Sequence, residues 1–171
     1  MDRHLDFVRS KKLSIVELTE GLRLLYGYWA NLKGGRDLPR KADLRPEDVP
    51  FLLGAINMIE VQRNPLDFIV RLNGTMIVEL QKQELTGRSV RAATPKIYAD
   101  EVFRHYQEVV LTIEPSLYAI VVQRNMIEST YIRLLLPLSR DGAEVDYLMT
   151  ASEWDGNYAE VFGDRANYRT P

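Results

Sequence analysis

The sequence predicts an α+β fold, in which a five-stranded antiparallel sheet carries helices on one face and is preceded by an N-terminal helical extension. Two alternating apolar segments occur before residue 75, and three more occur after residue 115. Helical segments lie between these two sets, and a separate amphipathic stripe opens the chain. Strands gathered into runs, with helices gathered between the runs, are typical of α+β proteins.

Composition narrows the classes of function that the chain could have. The 171 residues suit one domain with an appendage, and the net charge of −2 comes from mixed signs, so a nucleic-acid surface is not expected. The absence of cysteine excludes disulfides, thiolate metal sites and cysteine nucleophiles. With only two histidines we expect no metal site and no cofactor. The N-terminus lacks a signal-peptide pattern and no apolar run reaches the roughly 18 residues of a membrane span, so a cytoplasmic protein is expected.

The N-terminal segment predicts one helix after a polar lead-in over residues 1–12. Ser14 and Glu17 have the spacing of a capping box, and Gly34-Gly35 ends the helix. Two interpretations of its apolar stripe stay open: the helix packs on its own domain, or part of the stripe meets a second copy of the chain. The residues assigned to such a dimer or partner stripe are Leu18, Leu22, Leu25 and Trp29.

The connector over residues 33–50 is dense in glycine, proline and charge. A solvated, salt-bridged surface is the favoured interpretation, and an anion site formed by Arg36 and Arg40 is the alternative. We divide the chain into an N-terminal helix and connector (1–45), the α+β domain (46–153) and a polar tail (154–171).

The stretch from Asp67 to Val90 is predicted to link the sheet to the central helices. A first strand over Ala55–Gln62 pairs with a second over Asp67–Asn73. Gly74 is expected to take a positive φ that turns the chain out of the sheet, and Thr75 to cap the helix that follows. We expect Gly74, Thr75 and Gly87, the last in a Leu-Thr-Gly-Arg corner, to serve the architecture and not the chemistry.

A long helix and three strands complete the prediction. The helix runs from Pro95 to about Ile113. Its polar stripe, expected to face solvent, contains Tyr98, Glu101, His105, Glu108 and Thr112, whereas its buried stripe contains Ala99, Val102, Phe103, Tyr106, Val110 and Ile113. Strands are expected over residues 116–124, 129–138 and 145–152.

A pocket is expected between the long helix, the short helices and the sheet. The direction of the apolar stripes gives its wall as Leu72, Ile77, Leu80, Phe103, Tyr106, Tyr118 and Ile132. Such a wall is equally typical of a filled core, and we slightly favour a filled or small pocket.

Residues suited to catalysis are few. Glu60, Glu79 and Asp146 are carboxylates near apolar positions, but caps and ion pairs are the commoner role of such groups. The sequence contains neither a nucleophile elbow nor a phosphate-binding glycine loop. We therefore expect no enzyme, with a small lyase or isomerase of the α+β cone type as the less favoured alternative.

The order of the elements resembles the PAS fold, and more closely a family of short, stand-alone bacterial PAS-like proteins. The segments that carry the resemblance are YWANLKGGRDLPRKAD (Tyr28–Asp43), RLNGTMIVEL (Arg71–Leu80) and ELTGR (Glu84–Arg88), and it covers roughly residues 25–152. It implies a sensory or regulatory module that binds a small ligand or a protein partner, signals in trans and forms a homodimer. A dimerisation or interaction module without a ligand is the alternative.

The sequence lacks residues that better-known PAS branches use to hold their cofactors, which excludes several cofactors. Light sensors that form flavin adducts, and those that hold a chromophore by a thioester, need a cysteine that this chain lacks. The resemblance makes His105 the candidate haem ligand on the long helix. Its place in the polar stripe favours a solvent-facing histidine instead.

Overall fold

The computed structural model describes residues 4–162, which form one sheet with helices on both of its faces. Six antiparallel strands lie in the order β1-β4-β5-β6-β2-β3. The strands are β1 (Phe7–Leu13), β2 (Ile56–Gln62), β3 (Asp67–Leu72), β4 (Ser116–Arg124), β5 (Ile127–Leu138) and β6 (Tyr147–Trp154). The helices are α1 (Glu20–Lys33), α2 (Thr75–Gln81), α3 (Lys96–Thr112) and α4 (Tyr158–Phe162). The predicted α+β class and antiparallel sheet are confirmed.

The strand that the sequence analysis missed is β1, which pairs with β4 along its whole length. Its seven residues, FVRSKKL, are mostly charged or polar and show no buried alternation. The apolar pattern therefore gave no signal, because an edge strand needs little burial and charged side chains protect its open edge. The prediction of a polar lead-in over residues 1–12 is wrong for this segment.

The two faces of the sheet carry separate hydrophobic clusters. Helices α2, α3 and α4 cover one face, where Phe68, Tyr106 and Ile120 are buried together. Helix α1 covers part of the other face, where Leu22 and Leu25 pack with strand residues such as Leu134. Alternation along each strand divides its residues between these two clusters. The predicted helical extension thus occupies the face that the central helices leave open.

The apolar stripe of α1 is buried within the chain. Leu18, which lies just before α1, and Leu22, Leu25 and Trp29 within it are each at most 5% exposed. The indole Nε1 of Trp29 donates a hydrogen bond to the backbone oxygen of Pro137 in β5, at 2.8 Å. This packing favours the interpretation in which the helix covers its own domain. Contact with a partner through these four side chains would require α1 to leave the sheet.

Gly74 lies between β3 and α2, and glycine is required there for a reason that differs from the predicted one. Its φ is −57°, so the expected positive φ is wrong, and Thr75 begins the helix without capping it. A Cβ atom on Gly74 would lie 2.4 Å from the backbone oxygen of Gly54 and 2.8 Å from that of Ile56. Glycine is needed here because two backbone segments approach each other too closely for any side chain.

The segment predicted as a polar tail contributes to the core. Helix α4 buries Tyr158, Val161 and Phe162 against the cluster beneath α2 and α3. Five residues form this helix, and their three buried side chains are hidden in a composition that is otherwise polar. The rest of that predicted tail, residues 163–171, lies outside the described part of the chain.

Candidate ligand-binding cavity

A small cavity with both polar and apolar lining lies between the sheet and the helices α2, α3 and α4. Its volume is about 40 Å³, far below the roughly 300–1,000 Å³ of sites for drug-sized ligands. The strands contribute Arg133 from β5 together with Thr150 and Ser152 from β6. The other lining residues are Asn57, Ile59, Val70, Asn73, Ile77, Gln81, Leu85, Val90, Ala93, Tyr98, Val102, Tyr106, Tyr131, Trp154 and Tyr158.

A hydrogen-bond network crosses this cavity and joins three helices to the sheet. The carboxamide Nε2 of Gln81 in α2 donates to the hydroxyl of Tyr98 in α3, at 2.9 Å, and to that of Tyr158 in α4, at 2.6 Å. The guanidinium Nη2 of Arg133 in β5 donates to the hydroxyls of Tyr98, at 2.9 Å, and Tyr131, at 2.8 Å. One connected set of hydrogen-bonded side chains therefore links α2, α3, α4 and β5, so that a shift of one of them alters the bonds to the others.

Arg133 is a buried cation without a carboxylate beside it. Its side chain is 5% exposed, and its Nη1 has no hydrogen-bond partner among the described residues. None of the described residues that line the cavity is acidic. A guanidinium stays protonated in proteins, so the positive charge persists inside the fold. Burying a charge without a partner is costly, which marks this position for a role beyond packing.

The tyrosines around Arg133 do not supply the missing negative charge. Burial raises the pKa of Tyr131 well above its ordinary value, and burial does the same for the pKa of Tyr158. Both hydroxyls are therefore neutral near pH 7. The tyrosines solvate the guanidinium with hydroxyl dipoles, and the aromatic rings of Tyr98 and Tyr131 lie 5.9 and 5.4 Å from its central carbon.

Two of the seven predicted wall residues, Ile77 and Tyr106, line the cavity. Leu80, Phe103 and Tyr118 belong to the same hydrophobic cluster but do not line it. Tyr118 instead directs its hydroxyl to the Oε2 of Glu108, which accepts a hydrogen bond at 2.5 Å.

The other two predicted wall residues, Leu72 and Ile132, lie on the opposite face of the sheet. Ile132 packs with the cluster under α1, because alternation along β5 points Tyr131 and Arg133 to the cavity. Leu72 is displaced by an irregularity in the pairing of β2 with β3, where Ile59 pairs with Val70 but Met58 pairs with Leu72. The extra residue reverses the direction of the side chain that follows it.

The sequence held a signal for Arg133 that the pattern analysis did not use. In the strand STYIRLLLPL, the even positions from Ile132 to Leu138 are apolar, and Arg133, at an odd position, is the one charged residue of the segment. Charged residues are almost never buried unless they have partners or a function, so an odd position was expected to face solvent. The helices α3 and α4 cover that face too, and the arginine is enclosed.

His105 is buried, which makes the expected solvent-facing position wrong. Its ring stacks on Tyr118 with centroids 3.7 Å apart, and β1 reaches it through Ser10. Its Nε2 lies 2.8 Å from the hydroxyl of Ser10 and 3.3 Å from the Oε1 of Glu101. Ser10 donates to Glu101, so the network makes Nε2 the protonated nitrogen and leaves Nδ1 without a partner among the described residues.

Electrostatics keep this buried histidine neutral. Burial and the positive charge of Arg133 lower the pKa of His105 to about 3. Hydrogen bonds from Arg104 and Ser10 hold the pKa of Glu101 well below its ordinary value, although burial opposes this. Helix α3 is thus tied to β1 by a neutral histidine and an ionised carboxylate. Haem ligation by His105 would require β1 to be displaced.

The two arginines of the predicted anion site already share a carboxylate. Arg36 Nη2 lies 2.7 Å from Asp43 Oδ2, and Arg40 Nη2 lies 2.9 Å from Asp43 Oδ1. The hydrogen bond from Arg40 lowers the pKa of Asp43. The geometry brings the two arginines together, with Asp43 in the position that an external anion would take. This favours the salt-bridged interpretation of the connector.

The carboxylates considered for catalysis lie outside the cavity. Glu60 pairs with Arg71 at 2.5 Å and with Arg140 at 3.0 Å, and Asp146 accepts a hydrogen bond from the backbone of Arg140 at 2.8 Å. Within residues 4–162, no cluster of three or more histidine or acidic side chains could hold a metal ion. In the same range, no helix is long and apolar enough to cross a membrane.

A larger, apolar groove opens on the other face of the sheet, beside α1 and the connector. Its volume is about 560 Å³. Leu53 and Leu72 are 44% and 49% exposed there, and Lys41, Arg45 and Arg71 stand among its lining residues. The remaining lining residues are Tyr28, Leu44, Pro46, Val49, Ile56, Met58 and Met149. The groove is therefore a separate surface, mostly apolar with basic groups.

Comparison with known proteins identifies the family. A sequence profile described as PAS domain matches residues 19–151. The chain belongs to the PAS domain family. The predicted resemblance to PAS domains is confirmed, and a sensory module is the general role of such a domain. The matched range contains α1 and every strand of this PAS domain except β1 and the last residues of β6.

Other comparisons add little to the assignment of this PAS domain. A solved structure titled "Structure of an RNA-binding Light-Oxygen-Voltage Receptor" superposes with a TM-score of 0.42 and 11% sequence identity. The alignment covers 91% of the present chain and 40% of that chain. The search of curated proteins gives no significant match.

Proposed function

We propose that this PAS domain is a sensor that binds a small ligand in the cavity beside Arg133 and signals to a protein partner in trans. The observation that supports the proposal is the buried polar network around an arginine without a charged partner. A domain that needed only stability would gain from an apolar core at this position. Such a costly group is retained more readily where a ligand uses it.

The network also offers a route from ligand to surface. Gln81, Tyr98 and Tyr158 each belong to a different helix, and all three connect to Arg133 on the sheet. A ligand that takes a hydrogen bond from this set changes the contacts of α2, α3 and α4 together. A shift in these contacts is the differential interaction that a two-state sensor requires.

Native mass spectrometry and thermal unfolding test the proposal. The intact chain purified from its host is expected to carry a small molecule, and a panel of metabolites is expected to contain one that raises the melting temperature. Arg133→Met removes the buried charge at similar volume and is expected to abolish that increase. Arg88→Met removes an exposed arginine and serves as the matched control. If no compound is retained and none shifts the wild-type transition, the domain is not a ligand sensor of this kind.

A second candidate function is interaction without a ligand, and the apolar groove favours it. We propose as its occupant a partner segment with apolar and acidic side chains, because Leu53 and Leu72 are exposed beside Lys41 and Arg45. Leu53→Asp is expected to weaken recovery of such a partner, whereas Leu111→Asp on α3 is the exposed control. Equal recovery with both variants would exclude the groove.

The oligomeric state is part of the same proposal. We propose a homodimer, which light scattering of the purified chain tests directly. The exposed groove is an apolar surface that a second copy could reach without unfolding the domain, whereas the buried stripe of α1 is not. A Leu53→Asp protein that keeps the mass of a wild-type dimer would place the interface elsewhere.

A further inference from the structure

We infer that the ligand of the cavity is a small monovalent anion, of the size of formate, acetate or nitrate, bound by the guanidinium of Arg133. The inference rests on the proposed function and names the chemical class that the site selects. Three properties of the cavity support it: its charge, its volume and the positions of its remaining hydrogen-bond donors.

The charge of the cavity is positive and unmatched. Arg133 contributes the guanidinium, and none of the described lining residues is acidic. Its Nη2 is occupied by Tyr98 and Tyr131, whereas Nη1 has no partner within the described part of the chain. A planar guanidinium with an open donor edge matches a carboxylate or nitrate better than a neutral ligand. An anion in the cavity beside Arg133 would supply the missing negative charge.

The volume limits the size of the anion. About 40 Å³ corresponds to roughly three water molecules, since each needs about 10–15 Å³ by the same measure. Three or four non-hydrogen atoms fit this space, which admits formate, acetate and nitrate. A dicarboxylate, a nucleotide or a flavin would require the core to open. The cavity therefore selects against the larger anionic metabolites by size.

The donors near Arg133 suit an anion held from two sides. Ser152 of β6 lies directly opposite Arg133 of β5 in the strand register, and both line the cavity. Thr150, two residues earlier on the same face of β6, also lines the cavity, and its hydroxyl hydrogen-bonds with Tyr106. Hydroxyl groups beside a guanidinium can donate to the second oxygen of a bound carboxylate, as the inventory of side-chain donors allows.

Anion titrations of the full chain test this inference. Sodium formate, acetate and nitrate are added at constant ionic strength, with chloride replaced in equal amounts, and binding is followed by amide shifts in NMR spectra. An anion of about four non-hydrogen atoms should bind with a Kd no lower than about 40 µM, the limit for so few atoms. The titration therefore extends to tens of millimolar. Acetamide and succinate serve as the neutral and the oversized probes.

Variants separate binding at Arg133 from general salt effects. Arg133→Met is expected to raise the Kd at least about tenfold, the effect of losing one charged hydrogen bond. Arg88→Met is expected to keep the wild-type Kd. Far-UV circular dichroism and the melting temperature of Arg133→Met show whether it is folded, and Arg133→Lys, which keeps the charge, gives an independent variant with intermediate affinity.

The outcomes distinguish this inference from the proposed function. Saturable shifts at residues around the cavity, lost in Arg133→Met and absent with acetamide and succinate, would support it. Equal shifts in wild type and Arg133→Met would overturn it, because the anion then binds elsewhere. A neutral compound retained by the chain, with no anion bound, would overturn the anion class and leave the sensor proposal standing. If neither anions nor metabolites bind, both proposals fall.

Discussion

Replacing Gly74 with alanine should destabilise the domain because the new methyl group would overlap the neighbouring backbone. Strain in the dihedral angles of residue 74 itself should not contribute. The dihedral angles of Gly74, φ −57° and ψ 136°, are open to any residue, so the substitution introduces no backbone strain. The added Cβ would lie 2.4 Å from the oxygen of Gly54 and 2.8 Å from that of Ile56. Both neighbours are backbone atoms, and neither can rotate away. The start of α2 must therefore move from the beginning of β2.

The expected loss in the free energy of unfolding can be estimated from the cost of fitting the extra methyl group. Forcing one extra carbon into a packed site typically costs about 1–3 kcal/mol, and the reduced freedom of the unfolded chain returns about 0.4–1 kcal/mol. A net loss of about 1–2 kcal/mol is expected. Gly27→Ala in α1 is the matched control, since nothing lies within 4 Å of its added Cβ. That helical substitution should stabilise the protein by about 0.5–1 kcal/mol.

Urea unfolding followed by tryptophan fluorescence measures both variants. With a slope of about 2 kcal/mol per molar urea, Gly74→Ala should lower the midpoint by about 0.5–1 M and leave the slope unchanged. Gly27→Ala should raise the midpoint. A Gly74→Ala midpoint at or above that of wild type would refute the close approach between α2 and β2. Equal losses in both variants would point instead to a general intolerance of alanine.

Two further substitutions test buried polar groups. The pKa of about 3 for folded His105, against about 6.5 when unfolded, means that the unfolded state binds the extra proton first, so stability falls as the pH drops below 6.5. Between pH 7 and 4.5, His105 should lower the free energy of unfolding by about 2.5 kcal/mol. In urea unfolding, the free energy of His105→Gln should therefore fall by about 2.5 kcal/mol less than that of wild type over this range. If both proteins lose the same amount, His105 is not buried in its neutral form. Trp29→Phe removes the donor to the oxygen of Pro137 and should cost about 1–3 kcal/mol. A melting temperature equal to that of wild type would show that α1 is not held by this bond.

Periodicity predicted the central elements of the fold closely. The second strand and the long helix agree with β3 and α3 within one or two residues, because their apolar residues follow the periods of 2 and 3.6. Elements at the margins, β1 and α4, escaped prediction. Strand β1 is an edge strand without apolar alternation, and the buried residues of α4 lie within only five positions, too few for a helical period to be recognised. Their existence depends on surfaces that the rest of the fold provides.

The missed strand also explains the error at His105. On the sequence of α3 alone, His105 shares a stripe with Glu101 and Glu108, and a polar stripe indicates solvent. Strand β1 lies over that stripe and brings Ser10 to Glu101 and Lys12 to Glu108. A polar helix face can therefore be a buried one when its partner is polar too, and helix periodicity alone does not distinguish the two cases.

The candidate site was predicted only in part, because a strand pattern shows which residues share a face and not what covers it. Ile77 and Tyr106 were found through helix stripes. Arg133 was not, because a charged residue on a strand is ordinarily assigned to solvent. Leu72 was placed on the wrong face, because the irregular pairing beside Met58 leaves no trace in the apolar pattern.

Because neighbouring residues of a strand face opposite sides of the sheet, β5 contacts both the cavity and the cluster beneath α1. Arg133 faces the cavity, and Leu134, its neighbour in β5, packs in the cluster beneath α1. Further along the strand, Pro137 accepts the hydrogen bond of Trp29. Because packed elements shift as units, we expect that a ligand which draws the Arg133 segment toward the helices would displace the support of α1 as well. An anion that changes the amide signals of the cavity but leaves those of α1 unmoved would refute this coupling.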